Sequence, residues 1–157
     1  MKPRVYLETT IISYLTAKPS RDLIIAAHQE LTNEWWENRR KQFDLFVSQL
    51  VIQEAKAGDK NTSQKRLSIL KSIPLLELNE DVTSLAHDLI KEKALPKKAV
   101  EDALHIAIAI NHGVDYLLTW NCKHIANAER QYAITATCHK KNFEPPIICT
   151  PEELMGG

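Results

Sequence analysis

Five short, almost unbroken apolar runs, separated by stretches of helical periodicity, restrict the fold of this chain more than any other feature. Arg4–Leu7, Phe43–Val47, Pro74–Leu78, Tyr116–Thr119 and Pro146–Thr150 are too short for ordinary helices and too uniformly apolar for strands with one wet face. Such runs belong in a parallel sheet covered on both sides. The intervening segments supply the cover: a short helix over Ile11–Leu15, and a long one from its cap at Asp22 to about Gln42, with Leu23, Ala26, Ala27, Leu31 and Trp35 along one face. A helix capped by Ser48 runs to Ala57 and stops at Gly58, and others follow over Ser63–Lys71, Asp81–Lys93, Lys98–His112 and Ile125–His139. The alternation predicts a three-layer α/β/α fold with a mainly parallel, about five-stranded sheet. With no repeat, linker or low-complexity segment, residues 1–157 are expected to form a single domain.

Several function classes are closed to such a chain. Its four glycines, Gly58, Gly113, Gly156 and Gly157, cannot spell a dinucleotide-binding or P-loop phosphate cradle. Lys plus Arg and Asp plus Glu each number 20, so any sign of a polyanionic partner must be local. Cys122, Cys138 and Cys149 show no CxxC spacing and read as reduced, structural thiols. No run approaches a membrane span, and the N-terminal apolar stretch meets Glu8 too early for a secretory leader. A cytoplasmic address without membrane attachment is expected.

In a parallel α/β sheet, functional groups gather beyond the carboxyl ends of the strands. Glu8 closes the first strand, Glu54 lies in the helix after the second, and Asn121 follows the fourth. Asp102 occupies the first turns of the helix before the fourth strand, where the dipole favours a carboxylate. Leu50, Val51, Ala55 and Gly58 share the face of Glu54, and Val100, Ala103, Ile106 and Ala109 surround Asp102. Carboxylates among such neighbours need a compensating cation, and hard oxygen donors suit Mg²⁺ or Mn²⁺. Each residue has an ordinary alternative: Glu8 as a turn cap, Glu54 as a helix-surface acid, Asp102 as a dipole-favoured acid, Asn121 as a helix cap. Their common placement at one edge favours the metal reading.

Four segments carry these residues: Val5-Tyr6-Leu7-Glu8-Thr9-Thr10, Val47-Ser48 with Glu54, Asp102-Ala103-Leu104-His105-Ile106-Ala107, and Leu117-Leu118-Thr119-Trp120-Asn121-Cys122-Lys123-His124-Ile125. In order and spacing they resemble the motifs of the PIN-domain nucleases, particularly toxins of the VapC type, over nearly the whole chain. The resemblance implies a PIN-like fold and an endoribonuclease that hydrolyses RNA phosphodiester bonds. It implies Mg²⁺ or Mn²⁺ held by Glu8, Glu54 and Asp102, a cognate antitoxin, and a homodimer. Thr9 would position the attacking water or the phosphate, and Asn121 would hydrogen-bond a water at the metal. The first motif usually begins with aspartate, and many members have aspartate where Asn121 stands. The Glu-Thr-Thr form points to a variant subgroup, and three acids rather than four lead us to expect one tightly held ion.

Lys97, Lys98 and Lys123 flank Asp102 and Asn121 and are candidate phosphate contacts, though lysines also flank helix ends for solubility. His105 and His124 read first as packing or hydrogen-bonding residues, with supporting or substrate-contact roles as the alternative. Trp35 and Trp36 point about 100° apart on a helix, so either one faces a partner or both lie along a broad apolar face. Two other functions compete with the nuclease: a catalytically degenerate PIN fold serving as an RNA-binding or interaction module, and a metal-dependent phosphohydrolase of small substrates. The latter lacks a DxD or His-cluster motif.

Overall fold

The computed structural model describes residues 1–157. A five-stranded, all-parallel sheet runs through its centre in the order β3-β2-β1-β4-β5, formed by β1 (Arg4–Leu7), β2 (Asp44–Ser48), β3 (Leu75–Leu76), β4 (Tyr116–Leu118) and β5 (Ile147–Cys149). Seven α-helices connect these strands: α1 (Thr9–Thr16), α2 (Leu23–Asn38), α3 (Gln49–Ala55), α4 (Lys60–Leu70), α5 (Glu80–Lys91), α6 (Val100–Asn111) and α7 (Ala128–Lys140). From β1 the chain steps outward to β2 and β3, then crosses back to β4 and β5. Right-handed crossovers therefore place α1 to α4 on one face and α5 to α7 on the other. The packing agrees, since α1 meets α2, α3 and α4, while α5 meets α6 and α7. This is the expected three-layer α/β/α architecture.

Leu7 lies beside Leu118, which lies beside Cys149, so β1, β4 and β5 end level at one edge. The direction of winding reverses between β1 and β4, which opens a crevice there. α6 is the most deeply buried helix, with Ala103, Ile106, Ala107, Ile108, Ala109 and Ile110 all in the core. No helix is long and apolar enough to cross a membrane.

Three local expectations need correction. The long helix ends at Asn38, and Arg40–Gln42 forms a separate 3-10 turn. The last helix begins at Ala128 rather than Ile125, because Asn127 caps it while the Asn121 carbonyl accepts from the backbone N–H groups of Ile125 and Ala126. The buried stripe of α2 runs through Gln29, Thr32 and Trp35, whereas Leu23 and Ile24 are exposed. Apolar periodicity missed it because two of the three are polar residues with hydrogen-bond partners: Gln29 with Ser20 and Lys18, Thr32 with His28 and Trp120. Trp35 is in the core and donates to the Leu154 carbonyl, while Trp36 packs at its margin beneath the Arg40 guanidinium, 4.8 Å from the ring centre.

Candidate metal centre

β1 delivers Glu8 to the carboxyl edge of the sheet, where its backbone N–H extends the β1–β4 ladder to the Leu118 carbonyl. The side chain is 4% exposed. One carboxylate oxygen, Oε1, accepts from the Thr10 hydroxyl at 2.5 Å and the Thr119 hydroxyl at 2.6 Å. No cationic side chain lies within 4.0 Å of it.

Glu54 comes from the last turn of α3, where the helix dipole disfavours a carboxylate. Neighbours from two other elements compensate. Its Oε1 accepts from the Thr9 hydroxyl and from His105 Nε2 at 2.7 Å. Burial pushes the Glu54 carboxyl upward, but the hydrogen bonds from His105 and from the Thr9 hydroxyl outweigh it and hold the group below its ordinary range. Glu8, Glu54 and His105 offer ligand atoms that all lie within 4.8 Å of one another.

Asp102 sits in the first turn of α6 and is half-buried, as is Glu54. It makes polar contacts where the sequence suggested apolar neighbours. Oδ1 accepts from Asn121 Nδ2 at 3.0 Å, and Oδ2 lies 2.8 Å from His124 Nδ1. Asn121 also accepts from the His124 backbone N–H, so the loop after β4 closes around this aspartate. Asp102 is not among the three residues whose ligand atoms cluster within 4.8 Å, a place taken by His105.

Thr119 joins the two groups. Its hydroxyl donates to Glu8 and accepts from the Asn121 backbone N–H at 2.9 Å. Trp120 anchors the same loop through an indole N–H to Thr32 at 2.7 Å, a ring stacked on His28, and a backbone N–H to the Thr10 hydroxyl. Lys97, Lys98 and Lys123 are exposed and form no ion pair within the chain. Cys138 and Cys149 are buried free thiols, which burial pushes up to about 11 and about 12, and Cys122 is exposed.

From the sequence, Tyr6, Thr10, Thr119 and Trp120 had no individual role, Ser48 was read as a helix cap, which it is, and His105 was given a packing role first. One signal was available: His105 follows Asp102 by three residues, hence on the same face of an otherwise apolar helix.

The PIN domain family model matches residues 5–128, which span every residue of this centre. Among solved structures, VapBC2 from Rickettsia felis, bound to a DNA fragment from their promoter, superimposes with a TM-score of 0.59. The match covers 93% of this chain and 97% of that one at 19% sequence identity, and shows a shared fold. No curated protein matches the chain in sequence. With the family model covering most of its length and the carboxylates at the carboxyl edge of the sheet, this chain belongs to the PIN-domain family.

Proposed function

We propose that this protein is a divalent-metal-dependent endoribonuclease that hydrolyses RNA phosphodiester bonds and acts as the toxin of a toxin–antitoxin pair. The observation that carries this reading is the pair Glu8 and Glu54. A carboxylate as buried as Glu8 requires a compensating charge, yet its hydrogen-bond partners are neutral hydroxyls. In both glutamates the two hydrogen bonds fall on Oε1, leaving Oε2 of each to a cation. This all-oxygen pair fits Mg²⁺ or Mn²⁺.

Glu8 and Glu54 would hold the cation, with Asp102, its two oxygens engaged by Asn121 and His124, as the third acid beside it. Such an ion supplies Lewis-acid activation of a water molecule and neutralises charge developing at the phosphoryl oxygens. Thr9 fixes the orientation of Glu54. Asn121 positions the Asp102 carboxylate facing the crevice, and Lys97, Lys98 and Lys123 receive the phosphates flanking the cleaved bond. An antitoxin partner is supported by the fold shared with VapBC2, and we further assign this chain to members whose first motif reads Glu-Thr-Thr, working in the cytosol as a homodimer. Cleavage of an RNA pool with Mn²⁺ by the parent and by Asp102→Asn tests the reading; equal activity in the two would refute it.

One observation favours a second reading. Both oxygens of Asp102 are engaged, by Asn121 and His124, as suits a catalytically degenerate fold that binds RNA or another protein. RNA binding that persists with EDTA, with no cleavage under any divalent ion, would select it.

A further inference from the structure

Behind Glu54 lies a line of buried polar side chains with no assigned role. Tyr6 and His105 are 0% exposed, as is Ser48. The Tyr6 hydroxyl is 2.7 Å from Ser48 Oγ and 2.7 Å from His105 Nδ1, and His105 Nε2 is 2.7 Å from Glu54 Oε1. The three residues come from β1, the end of β2 and the middle of α6, so the line ties both helical layers to the sheet.

Its direction follows from the donors available. A carboxylate that is to hold a cation only accepts, so His105 Nε2 carries the proton in that bond. Nδ1 is then the bare nitrogen of the ring and accepts from the Tyr6 hydroxyl. Ser48 then donates to the Tyr6 oxygen while accepting from the Val51 backbone N–H that it caps. Each proton has one acceptor, and neither imidazole nitrogen is left for a metal.

We propose that Ser48, Tyr6 and His105 form a positioning chain that fixes Glu54 as a one-oxygen ligand. His105 and Thr9 both occupy Oε1, so Glu54 is presented to the cation through Oε2 alone. A glutamate free to rotate would instead chelate through both oxygens and crowd the coordination sites needed by water and phosphate. This inference rests on the metal-site reading above and assigns His105 an action through Glu54 rather than a place in the coordination sphere.

Two measurements test it. In the metal-free parent, nitrogen NMR of the imidazole should show His105 protonated at Nε2 and bare at Nδ1. A proton on Nδ1 in the parent would overturn the chain whether or not the protein binds metal. Mn²⁺ titration of Tyr6→Phe should show affinity reduced by about 10- to 100-fold, the range for lost outer-sphere support. Ile134→Val, a core substitution on α7, which carries no member of the chain, should leave it unchanged. Parent-like affinity in Tyr6→Phe overturns the positioning role while the metal site stands; no Mn²⁺ binding by the parent refutes the metal site itself. If Tyr6→Phe does not fold, the parent NMR decides.

Discussion

Glu8 and Glu54 each carry both of their hydrogen bonds on a single carboxylate oxygen, whereas Asp102 divides its contacts, Asn121 on one oxygen and His124 on the other. The glutamates are braced by three threonine hydroxyls and a buried imidazole, which hold each carboxylate with one oxygen unspent. The aspartate is wrapped by its own loop. On the proposed metal reading the three acids do unequal work: the glutamate half is organised in advance for a cation, and the aspartate half lies beside it. Thr119 bonds to both, donating to Glu8 and accepting from the Asn121 backbone N–H.

The largest effect that would break this contrast is expected at Glu8. Glu8→Gln keeps an acceptor for Thr10 and Thr119 but removes the charge, so RNA cleavage with Mn²⁺ should fall by at least about 100-fold. The same change should stabilise the metal-free protein by roughly 1–2 kcal/mol in urea denaturation with EDTA, because a buried, uncompensated charge is gone. Loss of activity with loss of stability would instead assign Glu8 a structural role. On the other side, Asp102→Asn should abolish most cleavage yet keep measurable Mn²⁺ binding, weakened less than in Glu8→Gln. A collapse of binding equal to that in Glu8→Gln would erase the distinction between the halves.

Acid titration sharpens it further. The folded-state pKa of Glu54 lies below the ordinary 4.5, so its contribution to stability is present above that value and is lost as pH falls through the folded pKa. In metal-free protein, the parent should lose stability more steeply than Glu54→Gln below about pH 4.5. Parallel curves would mean that His105 and Thr9 add nothing there. The smallest effect is expected outside both halves: Lys93, just past α5, has φ 62°, and Lys93→Gly should raise stability by about 0.5–1 kcal/mol while leaving Mn²⁺ binding untouched.

Much of this was legible in the residues. The apolar runs located all five strands, although Pro74–Leu78 shrinks to the two-residue β3, and Glu8 and Glu54 stood out as carboxylates at the sheet edge. The supporting groups did not, because their meaning is tertiary. Tyr6 and Ser48 lie 42 positions apart and His105 is 99 from Tyr6, so nothing in local pattern joins them. The buried face of α2 was misplaced for the same reason: Gln29 and Thr32 are buried by distant hydrogen bonds that apolar periodicity does not register. Threonine hydroxyls at 10 and 119 carry no signal until β1 and β4 are known to be neighbours.

Calorimetric titration of the metal-free protein with Mn²⁺ tests the central claim most directly. We predict one site in the parent, retained in Asp102→Asn and lost in both Glu8→Gln and Glu54→Gln. No heat of binding in the parent at millimolar Mn²⁺, or undiminished affinity in the two glutamine variants, would contradict the assignment of the cation to Glu8 and Glu54.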